Sequence, residues 1–369
     1  MMREYFGNIR DTRQPWKVKH NLLEIIMMTI CAVIAGCDVW EDIADYCRVK
    51  ADWFRESLHM KLENGVPSHD TMQRVWGMID PRAFERSFCA WVEAVCHKTN
   101  GEIVSIDGKT VRRSGGKDRN PIHMVSAWAN KQQMVLGQLA TDEKSNEITA
   151  VPALLEMLDV AGCIITADAM SCQKEIVQKI TEKEADYVIG LKDNQPTMRR
   201  EVQEYFDAAR REPKNYPSVK TVKTKDAGHG RIETRTYYLT TEIEWFENLA
   251  DWQNLRAFGM VHSKVEQYDR VTEDVRYFIT SLEDESMFAE AVRRHWGIEN
   301  SLHRRLNMTF REDLSRIRRE HSAENMVVVR RMALNNLKSR PAKTSLAGKR
   351  RRRACGDAFF ADVMNSVRA

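Results

Sequence analysis

The chain carries eight cysteines but no C-x-x-C spacing and no zinc signature. Cysteines 31, 37, 47, 89, 96, 163, 172 and 355 fall mostly in apolar surroundings, which reads as reduced, buried thiols. No apolar run reaches the roughly 20 residues that a membrane-crossing helix needs. The most apolar stretch, Leu22–Cys37, contains Glu24 and reads as a buried helix. Met1–Gln14 is polar and charged, so no leader is expected and the expected compartment is the cytoplasm. There is no internal repeat. There is also no phosphate loop: Gly108-Lys109-Thr110 has the right ending, but the glycine required five residues earlier is Ile103.

What is present is a globular composition of 369 residues, 30% charged, long enough for two or three domains around a sizeable core. Charge is unevenly placed. From Ala291 onward there are 19 Lys and Arg against 7 Asp and Glu; the rest of the chain has 38 against 46. A basic C-terminal quarter calls for a polyanionic partner. The run Lys349–Arg353 reads as solvated, within a basic tail over 341–369.

Residues 1–98 read as an all-helical N-terminal domain. Asn21 caps a helix over Leu22–Ala35, Ser68 or Asp70 caps another, and Pro81 opens a third. The turn Asn64-Gly65-Val66-Pro67 and the helix after it fit either a helix-turn-helix DNA reader or a plain bundle. From Ile103 the period changes to that of strands. Strands over 103–107, 122–129 and 134–139 are followed by a helix over 148–158, a strand over 163–167, a helix over 172–184 and a strand over 187–191. Three strands, then helix, strand, helix, strand predict a mixed α/β sheet, the layout of the ribonuclease H-like fold. The expected divisions are a first part of that domain over 99–214, a β-rich insertion over 215–283, and completion over 284–340 by the helix of HWGIENSLH.

The first and fourth strands each end in a carboxylate, Asp107 and Asp168. In the predicted strand order those ends are neighbours, where like charges repel unless a cation lies between them. Magnesium prefers such hard oxygen ligands. Glu299 is the expected third ligand. On an α-helix it shares a face with His295 and His303 at i, i+4 and i+8, with Trp296, Ile298 and Leu302 anchoring the helix in the core. Arg293, Arg294, Arg304 and Arg305 are placed to meet phosphates.

Seven stretches, among them VPSHDTMQRV, SIDGKTVRRS, ITADAMSCQKEI, YVIGLKDNQPT and HWGIENSLH, resemble the H-repeat-associated insertion-sequence transposases, a branch of the DDE transposases. The resemblance spans nearly the whole chain in the expected order. It implies Asp107, Asp168 and Glu299 as the catalytic and metal-binding triad, with Mg2+ or Mn2+ as cofactor. It implies DNA cleavage and strand transfer at element ends, with double-stranded DNA as partner and a homodimer in the synaptic complex. No membrane is expected, and the DNA-bound protein would sit at the nucleoid. Expected DNA contacts are Lys109, Arg112, Arg113, Lys192, Asn194, Gln195, His295 and Arg304. The chain departs from the family pattern at Arg304 and Asn307, where Trp and Asp are usual. It also has His295 and Leu306 where related transposases carry Arg and Lys. Those departures admit an alternative, a catalytically decayed copy retaining only DNA binding.

Overall fold

The computed structural model describes residues 2–96, 101–116, 120–141, 147–228, 230–268, 270–339 and 344–355. The chain opens with six helices: α1 (Met2–Phe6), α2 (Leu22–Ala35), α3 (Trp40–Val49), α4 (Ala51–Leu58), α5 (His69–Met78) and α6 (Pro81–Val95). Their ends follow local chemistry. The Asn21 side chain accepts the Glu24 backbone N–H at the start of α2, and α2 stops at Gly36 in the left-handed region at φ 114°. Ser68 caps α5, and Asp80 followed by Pro81 opens α6.

The middle of the chain supplies β1 (Ile103–Thr110), β2 (His123–Ala129), β3 (Met134–Thr141), α7 (Glu147–Glu156), β4 (Ile164–Ala167), α8 (Lys174–Glu182), β5 (Asp186–Leu191) and α9 (Pro196–Arg211). Four long strands follow: β6 (Lys220–Gly228), β7 (Arg231–Thr240), β8 (Ala257–Gln267) and β9 (Arg270–Thr280). The chain ends with α10 (Glu285–His295), α11 (Arg304–Phe310), α12 (Ser322–Lys338) and α13 (Leu346–Cys355). All nine strands form one sheet in the order β3-β2-β1-β4-β5-β9-β8-β7-β6. β1 runs antiparallel to β2 and parallel to β4, β4 runs parallel to β5, and β9 closes antiparallel onto β5. This is the expected ribonuclease H-like mixed sheet. The strands of the expected insertion extend that sheet.

Alternation along the strands sorts residues onto two covered faces. Ile103, Ile164 and Val188 pack beneath Phe288, Ala291 and Val292 of α10. Val104, Ile106 and Ile165 pack with the α7 and α8 residues Leu154, Ile176 and Val177. The N-terminal helices share this second core: α6 lies on β3 and α12, and α2 lies between α12 and α13. α5 buries Met72, Val75 and Trp76, and the Trp76 indole donates to Thr29 Oγ1 at 2.9 Å. Its exposed residues are Asp70, Arg74 and Met78.

The basic run at 349–353 departs from expectation. It lies in α13, where Lys349 and Arg350 are buried. Lys349 Nζ donates to the Leu337 carbonyl at 2.9 Å. Arg350 Nη2 donates to the Val33 carbonyl at 2.8 Å and to Asp38 Oδ1 at 2.9 Å, and the guanidinium stacks on Phe310. Composition marks such a run as basic but not which cations find carbonyls to satisfy them. The tail beyond 355 lies outside the described residues. Among the described residues, no single helix is long and apolar enough to cross a membrane.

Glu85 of α6 is buried and accepts the Gln138 backbone N–H at 2.9 Å. Burial pushes its carboxyl up to about 8. A folded pKa above the unfolded value gives stability that is full below the unfolded pKa and lost as pH rises through the folded one. Wild-type stability is therefore expected to fall between about pH 4.5 and pH 8, and Glu85→Gln to remove that fall. The variant should gain on the order of 3 kcal/mol at pH 8 relative to wild type. Urea unfolding of both proteins across this range checks it; parallel pH curves would refute it.

Candidate active site

The site begins with strand register. Ile106 of β1 lies opposite Ala167 of β4, so the next residue of each chain segment, Asp107 and Asp168, emerges beside the other on the α10 face. Asp107 Oδ1 accepts its neighbour's N–H from Gly108 at 2.9 Å. Asp168 Oδ1 accepts the Met170 N–H at 3.0 Å, capping the short turn that ends β4. Beneath them runs a buried polar row: Asn130 Nδ2 donates to Ser105 Oγ at 2.9 Å, and Thr166 Oγ1 donates to the same oxygen at 3.0 Å. Thr166 Oγ1 in turn meets His295 Nδ1 at 3.1 Å, which fixes that ring at the end of α10.

The two carboxylates are pushed apart in proton affinity. Burial works to raise Asp107, but the His303 contact and the nearby His303 and His295 rings outweigh it and hold this carboxyl below its usual range. Burial raises Asp168, and the negative charges of Glu147 and then Asp107 add to it. Two neighbouring carboxylates are thus shifted in opposite directions. Burial lowers His295.

Glu299 stands elsewhere. Residues Ile298–His303 form a π-helical turn between α10 and α11. The wider i→i+5 repeat breaks the expected i, i+4, i+8 alignment. His295 and His303 turn toward the aspartates, with Ile298 and Leu302 buried, while Glu299 is exposed. Among the described residues, no group of three His, Cys, Asp or Glu side chains is arranged to hold a metal ion. Trp296 is also outside the core, 42% exposed, with the Arg276 guanidinium 4.8 Å from its ring centre.

The expected DNA contacts divide. Lys109 points inward: its Nζ donates to Glu312 Oε2 at 3.2 Å and Asp313 Oδ1 at 2.8 Å, and Glu312 also pairs with buried Arg331. Burial alone would raise Glu312, yet Arg331, Lys109 and Arg330 hold its carboxyl at about 2. Asn194 and Gln195 donate their amides to the carbonyls of Ala169 and Cys172 at 2.7 and 3.0 Å, so they tie down the loop after Asp168. His295 is half-buried and joined to Thr166. Arg112, Arg113, Lys192 and Arg304 are exposed. Lys192 shares with Asp168, Arg199, Arg276, His295 and Trp296 a cleft of about 440 Å³. Arg304 lines a larger groove of about 940 Å³ on which Trp296 also borders. Arg293 and Arg294 are paired with Asp226 and Glu290 at 2.7 Å each.

Sequence reading missed one pair. Glu147, at the first turn of α7, meets His123 of β2, both buried, and Thr110 Oγ1 lies 3.0 Å from His123 Nδ1. The pair sits against Gly108, where a Cβ would overlap both side chains. The only signal in the sequence is the glycine itself, directly after Asp107.

A family model described as "Transposase DDE domain" matches residues 98–336, and one described as "DDE_Tnp_1-associated" matches residues 3–92. The chain is 40% identical to "Putative transposase YncI" of Escherichia coli O157:H7, across 98% of this chain and 94% of that one. It is 38% identical to "H repeat-associated putative transposase YhhI" of Escherichia coli K12, across 98% and 97%. Among solved structures, a piggyBac transposase synaptic complex with hairpin DNA aligns over 99% of this chain and 77% of that one. The TM-score is 0.40 and the identity 10%, too low to argue from.

Gly108→Ala is expected to cost roughly 1–3 kcal/mol by overpacking against Glu147 and His123. Gly116, with nothing near its Cβ position, serves as the control, and Gly116→Ala should change stability by less than about 0.5 kcal/mol. Chemical denaturation of both variants decides; equal effects would remove the close packing from the account.

Proposed function

We propose that this chain, which belongs to the transposase DDE domain family, cleaves DNA strands at insertion-sequence ends and joins the freed 3′ ends to target DNA. The observation that carries the reading is the placement of Asp107 beside Asp168, with Asp168 lining a cleft that also holds Lys192, Arg199 and Arg276. Two adjacent carboxylates with their charges unneutralised by lysine or arginine suit Mg2+ or Mn2+, which need few protein oxygens and take further ligands from water and phosphate. Asp107 and Asp168 would hold such an ion, which would supply activation of the attacking oxygen and stabilisation of the leaving one. Glu299 is proposed as the third acidic group from its place in HWGIENSLH. Its side chain is exposed at the start of the π-helical turn.

The chain's own groups supply the rest. Asn194 and Gln195 hold the Asp168 loop. Arg112, Arg113, Lys192 and Arg304 neutralise phosphates and set the register of the strand. Water is the first nucleophile and a DNA 3′-hydroxyl the second, the same in-line displacement at phosphorus in both steps. Two copies of the chain are proposed to hold the two element ends together.

Asp107→Asn and Asp168→Asn remove an anionic ligand at nearly constant shape. Each is expected to reduce Mg2+-dependent nicking of a terminal-repeat substrate by at least 10³-fold while leaving binding of that substrate intact. Wild-type nicking by either variant would end the reading. A wild-type protein that binds the repeats but never nicks them would instead identify a decayed copy.

DNA affinity is expected to fall steeply with salt through counterion release. Lys192→Ala combined with Arg304→Ala should flatten the log–log slope by about 2. An unchanged slope in fluorescence anisotropy titrations would take these two cations out of the interface.

A further inference from the structure

Two buried polar groups beside Asp107 lack a satisfied role. His303 is 7% exposed, and neither ring nitrogen has an aligned hydrogen-bond partner. Its Nε2 lies 3.2 Å from Asp107 Oδ2, within reach although not well aligned. Ser126, directly across from Asp107 on β2, is fully buried with no partner for its hydroxyl. Unsatisfied buried donors and acceptors are costly and rare, so their gathering at one carboxylate needs a reason.

The π-helical turn provides it. That turn packs on β1, anchored by Ile298 and Leu302, and the widened repeat places the imidazole over Asp107. A ring so enclosed has few conformations open to it, so it fixes whatever it touches. We propose that His303 is a positioning residue of the reaction: it holds one oxygen of Asp107 so that the other is presented toward Asp168 and a divalent cation. This rests on the catalytic reading above. A histidine bonded to a carboxylate ligand is the kind of outer partner whose loss weakens metal binding by about 10–100-fold.

The test is Mn2+ binding to the full-length protein, followed by isothermal titration calorimetry without DNA. His303→Phe keeps the buried ring shape and removes both nitrogens. It should weaken Mn2+ binding at least about tenfold, and raise by a similar factor the Mn2+ concentration giving half-maximal nicking. His303→Gln, which can still donate to Asp107, should recover most of the loss. In an Asp107→Asn background, His303→Phe should have no further effect, because the group it acts through is already gone. If His303→Phe does not fold, His303→Ala supplies the same comparison. Unchanged or tighter Mn2+ binding by the Phe variant would overturn the proposal, as would failure of the Gln variant to recover it. The two readings fail separately. An Asp107→Asn protein that nicks like wild type removes the catalytic reading and this one with it. An inert Asp107→Asn beside a wild-type His303→Phe removes only this one.

Discussion

The parallel pairing of β1 with β4 is the constraint on which the site depends. Once Ile106 lies opposite Ala167, two aspartates must leave the sheet side by side. Two neighbouring carboxylates in a half-buried position repel, and water is too scarce there to screen them. The surroundings divide the load unequally. Histidines gather over Asp107, while Asp168 is left with burial and with the further negative charge of Glu147. The sheet thus builds a local excess of negative charge and holds it rigidly, which is the condition a cation would relieve.

Around that centre the fold invests in buried polar order. The Asn130–Ser105–Thr166–His295 row lies two residues before the aspartates along their strands, on the same face. The Lys109–Glu312–Arg331 cluster lies two residues beyond Asp107 along β1. Both tie β1 to later parts of the chain, the first to α10 and the second to α12. Breaking one partner of such a cluster leaves a buried charge uncompensated, so these contacts resist piecemeal loss. Gly108 adds a steric limit, since its missing side chain is the space that Glu147 and His123 occupy.

Much of this was legible in the sequence because it is local or periodic. Asn21, Ser68 and Pro81 mark helix starts that the structure keeps. The strand order alone places Asp107 next to Asp168. The unreadable parts share one cause: they are set by tertiary partners. Lys109 looks like a free cation beside a carboxylate, yet Glu312 and Asp313, some 200 residues on, draw it inward. Glu299 was assigned a face by α-helical spacing, and nothing in IENSLH announces that the turn is a π-helix. Trp296 was counted as a core anchor by its type and lies outside. Glu147 had no spacing to betray it, because helix α7 brings it to the sheet from the opposite face.

The burial of Arg350 has a consequence for how the molecule is made. Its guanidinium completes the hydrogen bonding of the Val33 carbonyl and pairs with Asp38, groups at the end of α2 and just after it. Helix α2, among the first elements to leave the ribosome, is closed over by α12 and α13, among the last. Domains generally fold as units as they emerge, but this one cannot seal its first long helix until α12 and α13 have been synthesised. A nascent or prematurely ended chain carries α2 with its apolar residues uncovered, a state that invites capture by chaperones or proteases. Closure over α2 therefore waits on α12 and α13.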